Sequence, residues 1–278
     1  MTEVSWARLK AHELRSLAAE GALVILPLAS IEQHGPHLPV MTDMAIGEAI
    51  ALRAAGLARR CPVVVAPAVW SGLSEHHMPF GGTLTVRPET FAALVADLVE
   101  AIVRQSFAQI LLSNSHGGNI RAMEAAAETV AQRLPATVVA TSYASEAAEA
   151  ITAILEDQPS LMHAEEAETS MMLTLAPDLV DARDLASLAD GMGPGAGPGA
   201  LAAGRASYRW RPFAHVTSNG IRGNPARASA EKGERLLQVS AEAIAALIDD
   251  PAAWVPAEDR RGSGTAGVPF AGSSGHER

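Results

Sequence analysis

Side chains with metal-binding chemistry, among them Glu32, His34 and Asp43, lie between residues 30 and 43, in the stretch Ser-Ile-Glu-Gln-His-Gly-Pro-His-Leu-Pro-Val-Met-Thr-Asp. Glu32 and His34 are two positions apart, so in an extended backbone both side chains leave the same face. A Gly-Pro pair then predicts a turn, and Asp43 follows shortly after it. Two carboxylates and an imidazole are typical ligands of a divalent ion such as zinc or manganese. The stretch therefore predicts a metal site.

Each of these residues also has a purely structural interpretation. Glu32 could cap a helix, His34 could be a hydrogen-bonded core histidine, and Asp43 could be the N-cap of a helix that begins at Met44. What favours the metal site is its placement directly after Leu23–Leu28, a continuous apolar run typical of a buried strand.

A second histidine stands at the end of another apolar segment. The sequence Asn-Ser-His-Gly-Gly-Asn, which contains His116, overlaps the end of a strand predicted over Gln109–Ser115. In open α/β sheets the loops at the carboxyl ends of neighbouring strands converge, and sites assemble there. A turn with an incidental histidine is the alternative interpretation.

Hydrophobic periodicity predicts alternating helices and strands around these motifs. Besides Leu23–Leu28 and Gln109–Ser115, it predicts strands over Val63–Trp70 and Thr137–Ser142. It predicts helices over Trp6–Glu20, Met44–Arg60, Thr85–Phe107, Asn119–Leu134, Glu146–Glu156, Met171–Leu175 and Ala230–Asp249. Asn224 and Pro225 have the chemistry of an N-cap and a first helical residue before the last of these helices.

Three glutamates and a histidine precede the helix that contains Met171. Glu165 and Glu166 are expected to remain solvated at a helix N-terminus, where acidic groups suit the helix dipole. Glu168 leads directly into an apolar face. A buried carboxylate needs a partner, and a metal ion would provide one.

Composition narrows the classes of function. The chain has 278 residues, of which 48% are hydrophobic and 19% charged, an ordinary globular balance. Its net charge of −10 disfavours general binding to nucleic acid or to an anionic membrane. The one cysteine, Cys61, is expected to be buried, and the sequence shows neither a signal peptide nor a membrane-spanning run. We therefore expect a cytoplasmic protein. The glycine-rich stretch Gly191–Gly204 predicts a mobile loop, and residues 256–278 predict a disordered tail after a single domain over residues 1–255.

With these motifs in place, the sequence resembles the creatininase (creatinine amidohydrolase) family. The matching segments are Glu-Gln-His-Gly-Pro-His-Leu-Pro with Asp43, residues 114–119, residues 163–170 and residues 219–233. The resemblance implies an α/β fold, a three-layer αβα sandwich with a mainly parallel central sheet. It also implies two divalent metal ions per subunit (zinc or manganese, with iron as a further option) and a homohexamer, commonly a trimer of dimers.

The resemblance also assigns roles to individual residues. It implies that Glu32 and His116 hold one metal, that His34 holds the other, and that Asp43 bridges them. His163 falls where the family places a histidine near the substrate, suited to proton transfer. His77, in a Ser-Glu-His-His-Met loop similar to one near the family's site, is a candidate substrate contact, although a solvent-facing loop is the alternative.

Departures from the family pattern lead to one further candidate ligand. Creatininase has a tyrosine and a metal-binding glutamate directly after the histidine of the third strand, where this chain has Gly117 and Gly118. It also has an acidic residue before the substrate histidine, where this chain has Met162. Because catalytic zinc sites usually have three protein ligands, we expect Glu168 to replace the missing glutamate. Because of these departures at positions 117, 118 and 162, creatinine is not the expected substrate.

These residues predict a metal-dependent amidohydrolase that cleaves a non-peptide C–N bond, in a small cyclic amide or a formamide, with a metal-activated water. Two alternatives remain open. One is a family peptidase that acts on a precursor peptide of the mycofactocin type, and the other is a non-catalytic, metal-stabilised binding protein. A peptidase requires an open groove, whereas a cyclic amidase requires a closed pocket.

Overall fold

The computed structural model describes residues 3–191 and 209–257. In this part of the chain four strands form one parallel sheet in the order β2-β1-β3-β4. The strands are β1 (Leu23–Leu28), β2 (Val63–Val65), β3 (Gln109–Asn114) and β4 (Thr137–Ser142). Because β1 and β3 are central and parallel, their carboxyl ends lie side by side, with Leu28 opposite Asn114.

Eight α-helices connect and flank the strands within the described residues. They are α1 (Ala11–Ala19), α2 (Thr42–Leu57), α3 (Pro88–Val103), α4 (Ile120–Ala131), α5 (Tyr143–Glu146), α6 (Ala148–Thr152), α7 (Glu166–Leu175) and α8 (Ala230–Asp249). Short 3₁₀ helices cover Trp6–Arg8, Glu75–Phe80, Gly117–Asn119, Pro177–Leu179, Leu185–Ser187, Phe213–His215 and Pro251–Trp254.

The central strand β1 divides the hydrophobic core into two halves. Its side chains alternate, so that Leu23 and Ile25 face one half and Val24 and Leu26 face the other. Helices α2, α7 and α8 cover the first face, and α1, α3 and α4 cover the second. The expected three-layer αβα sandwich with a parallel sheet is confirmed.

Several predicted boundaries differ from the structure for local reasons. The helix expected over Trp6–Glu20 is a 3₁₀ turn followed by α1, because the backbone of Lys10 is extended and its N–H donates to the Glu13 carboxylate instead of continuing a helix. The strand expected over Val63–Trp70 ends at Val65, shortly before Pro67, which lacks the N–H that a sheet ladder needs.

Other boundaries shift near the site. The helix expected over Glu146–Glu156 is replaced by the two short helices α5 and α6. Helix α8 has the predicted bounds, but Asn224 is not its N-cap. The Ser229 hydroxyl accepts the hydrogen bond from the Lys232 N–H, whereas the Asn224 side chain closes a turn on the Ala226 N–H.

Some expectations fall outside the described residues or need qualification. Of the mobile loop expected over Gly191–Gly204, residues 192–204 lie outside the described residues. Of the expected tail, residues 258–278 lie outside them. Cys61 is only half-buried. No helix within residues 3–191 and 209–257 is both long and apolar enough to cross a membrane.

Candidate metal centre

The carboxyl ends of β1 and β3 deliver the predicted ligands to one place. Glu32 and His34 follow β1, His116 follows β3, and Asp43 occupies the first turn of α2. All four side chains are buried. The Asp43 carboxylate lies between the two imidazoles, with Oδ1 at 3.2 Å from His34 Nε2 and Oδ2 at 3.1 Å from His116 Nδ1.

The His116 ring is oriented by its outer nitrogen. Nε2 lies 3.2 Å from the Leu73 carbonyl oxygen and 3.1 Å from Ser74 Oγ. With the Nε2 proton donated to that carbonyl, Nδ1 presents a lone pair to Glu32 Oε2 and Asp43 Oδ2, both at 3.1 Å. Metal-ligating histidines are held in this way, by a backbone or carboxylate acceptor on the other ring nitrogen.

The His34 ring repeats the arrangement with its nitrogens exchanged. Nδ1 lies 3.1 Å from the Glu32 carbonyl oxygen, so Nε2 faces Asp43 Oδ1 at 3.2 Å and Glu168 Oε2 at 3.6 Å. His34 Nε2 and Asp43 Oδ2 are buried without a hydrogen-bond partner. A lone pair that faces carboxylate oxygens is repulsive unless a proton or a cation lies between them. The donor set therefore fits divalent metal ions.

The electrostatics of the cluster favour added positive charge. Burial alone would lower the pKa of His34, but the carboxylates of Asp43, Glu168 and Glu32 raise it to about 10. The pKa of His116 is likewise raised, because Glu32 and Asp43 overcome the effect of burial. Burial raises the pKa of Glu168 to about 7, against the opposing attraction of His34.

Glu168 joins the cluster from the first turn of α7. Its Oε2 accepts a hydrogen bond from the Ala164 N–H, and Ala164 has the unusual positive φ of 54°. His34, His163 and Glu168 each bring one potential ligand atom within 4.8 Å of the others. Gly118 is closed to a side chain, since a Cβ there would lie 2.3 Å from His116 Nε2 and 2.4 Å from the Leu73 carbonyl oxygen.

The expectation that Glu165 and Glu166 stay solvated is wrong, because both are fully buried. Glu166 pairs with Lys232, whose Nζ lies 2.6 Å from Oε1, and it accepts from the Glu156 N–H. Glu165 caps α7 by accepting from the Ala167 N–H, while its Oε1 has no hydrogen-bond partner. Burial and the nearby Glu168 carboxylate raise the pKa of Glu165 well above its usual value.

His163 faces the cluster with one free nitrogen. Its Nε2 lies 2.9 Å from the Gln33 carbonyl oxygen, so Nδ1 carries the lone pair and sits 3.6 Å from Glu32 Oε1. Burial and the nearby His34 lower the pKa of His163 well below its usual value. The ring is therefore neutral at neutral pH and able to accept a proton at Nδ1.

His77 is buried beside Glu32. Its Nε2 lies 3.3 Å from Glu32 Oε1, and its Nδ1 accepts a hydrogen bond of 2.7 Å from the Gln33 side-chain amide. Burial and the neighbouring His163 lower the pKa of His77. The alternative of a solvent-facing loop does not hold for His77, because its side chain lines the cleft described next.

A cleft of about 980 Å³ opens onto the cluster. Several further residues line it that the sequence did not predict as site residues. They are Arg121, Tyr143, Trp210, Phe213 and Arg222, together with His76 of the Ser-Glu-His-His-Met loop, whose contact with substrate the sequence left open. Tyr143 carried a usable signal, since it directly follows β4 at the same edge of the sheet, and Arg222 lies in the matching segment 219–233 without an assigned role. The others come from loops or from a helix start whose position depends on tertiary structure.

Comparison with known proteins identifies a family and a fold. The family model for creatinine amidohydrolase matches residues 7–248. A mycofactocin precursor peptide peptidase of Mycolicibacterium smegmatis is 31% identical, over 89% of this chain and 91% of its own. A creatinine amidohydrolase of Pseudomonas putida is 27% identical, over 88% and 94%. A solved mutant creatininase of Zn–Zn type is 25% identical with a TM-score of 0.73, over 89% of this chain and 98% of its own.

The extent of the family match covers every residue of the candidate centre, from Glu32 to Glu168. The fold agrees as well, since the parallel sheet and its flanking helices superpose on creatininase over most of both chains. The chain therefore belongs to the creatininase (creatinine amidohydrolase) family and is a hydrolase of that family.

Proposed function

We propose that this protein is a metal-dependent amidohydrolase with two divalent ions per subunit, zinc or manganese. Glu32 and His116 would hold one ion, His34 and Glu168 the other, and Asp43 would bridge them. The observation that carries the proposal is the matched pair of imidazoles. Each donates one ring proton to a backbone carbonyl and turns the other nitrogen toward carboxylate oxygens.

When bound, such ions polarise an amide carbonyl and lower the pKa of a water molecule. The protein's own residues manage the protons. His163, neutral and fixed at Nε2 by the Gln33 carbonyl oxygen, accepts the proton of the attacking water at Nδ1. It then donates that proton to the leaving nitrogen, so that the C–N bond breaks after the water oxygen has bonded to the carbonyl carbon, and an acid and an amine are released. His77 contacts Glu32, and the Gln33 carbonyl oxygen holds His163 in place.

The first candidate substrate is a small amide, either a cyclic amide or a formamide. It is supported by the likeness to a creatinine amidohydrolase, and the glycines at positions 117 and 118 argue against creatinine itself. The second candidate is a precursor peptide. It is supported by the cleft of about 980 Å³, at the upper end for ligand pockets, and by the likeness to a precursor peptide peptidase.

A turnover screen tests the proposal. The chelated protein should hydrolyse none of a panel of cyclic amides, formamides and short peptides, and zinc or manganese should restore activity on one class. Full activity after chelation would contradict the metal-dependent mechanism. The class that is turned over decides between the two candidate substrates.

Two further expectations accompany the function. A homohexamer is supported by the family resemblance and by exposed apolar side chains near the site, including Val40, Met78 and Leu84. A sedimentation mass of 28.9 kDa, that of the monomer, would contradict it. A cytoplasmic location stays a prediction from the single cysteine and can be checked by cell fractionation.

A further inference from the structure

The side chain of Arg222 lines the cleft without a partner for its charge. Its Nε is buried and makes no hydrogen bond, and no carboxylate of the described residues lies within 4 Å of its guanidinium. Arg222 is half-buried, and its buried Nε has no acceptor, which is costly, so a guanidinium in this position indicates a partner that arrives from outside.

The backbone places Arg222 next to the candidate proton-transfer residue. Arg222 and His163 form an antiparallel bridge in which each N–H donates to the other's carbonyl oxygen, at 2.9 Å and 3.2 Å. Residues paired in this way project their side chains to the same face, with Cβ atoms about 5 Å apart. A group bound by Arg222 therefore lies within one side-chain length of His163.

The charges around the cleft determine what Arg222 can bind. The candidate centre presents the carboxylates of Glu32, Asp43 and Glu168, which repel an anion unless metal ions neutralise them. Arg222 is a fixed positive charge beside them. A planar guanidinium pairs best with a carboxylate, through two parallel hydrogen bonds. An anionic substrate would thus be oriented with its carboxylate on Arg222 and its amide toward the centre.

We propose that Arg222 binds a carboxylate of the substrate, so that the hydrolysed amide belongs to an acid, either an N-acyl amino acid or the C-terminal end of a peptide. This inference rests on the proposed amidohydrolase function. In both sources the shared chemistry is an amide bond a few atoms from a carboxylate. Arg222 acts as a specificity-determining residue and takes no part in bond cleavage.

Matched pairs of substrates test the inference on the zinc-loaded protein. One arm compares N-formylalanine with N-formylalaninamide, and the other compares tetra-alanine with its C-terminal amide. In the arm that is hydrolysed, we expect the acid to have a KM at least tenfold below that of the amide. Arg222→Met should raise the KM of the acid about 10- to 100-fold, as for loss of one partner of a charged pair, and leave that of the amide unchanged.

Two variants serve as controls. Arg222→Lys keeps the charge but not the paired donors, so its KM for the acid should fall between those of the wild type and Arg222→Met. Arg227 lies on the same loop, exposed and paired with Asp157 at 3.7 Å, and Arg227→Met should leave both KM values unchanged. Circular dichroism checks that each variant folds. If Arg222→Met does not fold, the proposal is tested by the ratio of the KM values for acid and amide in the wild type and by the KM of Arg222→Lys for the acid.

The outcomes separate the two proposals. Equal KM values for acid and amide in the wild type overturn the role of Arg222 and leave the amidohydrolase function standing. If neither arm is hydrolysed, the formamide and peptide candidates of the proposed function fail. Calorimetry with N-formylalanine and its amide then decides the role of Arg222. The role is supported if the wild type binds the acid more tightly than the amide and Arg222→Met abolishes that difference. Equal binding of acid and amide by the wild type overturns it.

Discussion

The candidate centre has two sides that hold their charged groups differently. The strand side consists of residues that follow β1 and β3, namely Glu32, His34, Asp43 and His116. The helix side consists of residues at the start of α7, namely His163, Glu165, Glu166 and Glu168. On the strand side, backbone carbonyls fix both imidazoles and turn their free nitrogens toward carboxylates. On the helix side, three glutamates are buried within four positions, each with a different neighbour.

The strand side shows how the ligand side chains are oriented, and the helix side shows how the charges of buried carboxylates are compensated. The strand side has its hydrogen bonds satisfied except where a cation would lie, at His34 Nε2 and Asp43 Oδ2. On the helix side Glu166 is paired with Lys232 and Glu168 lies 3.6 Å from His34 Nε2. Burial and the nearby Glu168 carboxylate raise the pKa of Glu165, and Glu168 depends on His34 and on any bound metal. Changes to the strand side should therefore remove metal and activity together, whereas changes to the helix side should separate metal content, chemistry and stability.

The largest expected effect comes from Asp43→Ala on the strand side. Because this carboxylate lies between the two imidazoles, its removal should release both ions. Activity should fall by more than about 100-fold, since even residues that only position metal ligands cost 10- to 100-fold. Metal analysis by mass spectrometry, together with turnover, measures both. The exposed Asp181→Ala is the control, and two tightly bound ions in Asp43→Ala would contradict the bridging role.

Glu168→Gln is the corresponding test of the helix side. If Glu168 ligates the ion held by His34, the neutral amide should lower the metal content from two ions per chain toward one. Glu165→Gln is the matched control, because Glu165 is buried at the same helix start but its carboxylate caps α7 on the Ala167 N–H. The metal content is measured after gel filtration in metal-free buffer. An unchanged value of two in Glu168→Gln would return this residue to a structural role.

A smaller effect is expected from Gly118→Ala, which probes the orientation of the strand side. The new Cβ would meet His116 Nε2 and the Leu73 carbonyl oxygen, so the hydrogen bond that fixes the ring must shift. Loss of such a supporting contact lowers metal affinity by about 10- to 100-fold. Gly117→Ala is the matched control, since its Cβ would meet nothing within 4 Å. Equal zinc affinity of the two variants, measured by chelator competition, would show that the ring is held by other contacts.

The two sides also differ in how far the sequence predicts them. The strand side is predictable because an apolar run identifies a buried parallel strand, and the polar motif that follows must then lie at the sheet edge. Glu168 could be proposed as a ligand from the family pattern and its apolar neighbours. The burial of Glu166 could not be predicted, because its partner Lys232 lies 66 residues away along the chain.

The same limit applies to the cleft. Arg222 lies in the matching segment 219–233, but the pattern assigns it no role, because its proposed role follows from a backbone bridge to His163 that only the fold creates. Helix starts failed where a side chain could close a local alternative, as at Lys10 with Glu13 and at Asn224 with Ala226. The periodic pattern of apolar residues therefore contains no information on long-range pairing of charges or on local competition for backbone N–H groups.

The smallest effect on turnover is expected from Lys232→Met, which tests charge compensation on the helix side. Without Lys232 the buried Glu166 loses its cationic side-chain partner, and stability should fall by about 3 kcal/mol, the lower end for breaking a buried ion pair because the Lys232 side chain keeps 14% exposure. Arg53→Met is the matched control. Its bond of 2.7 Å to Glu234 is exposed, so its loss should cost less than about 1 kcal/mol.

Urea unfolding of the two variants measures the difference, with kcat recorded for each. Glu166 reaches toward Glu156 and Lys232, away from the candidate ligands, so kcat should stay near that of the wild type in Lys232→Met. Equal losses of stability in the two variants would mean that Lys232 does not compensate the charge of Glu166. A large fall in kcat with two ions still bound would mean that α7 transmits this charge to Glu168, and the helix side would then support the chemistry as directly as the strand side does.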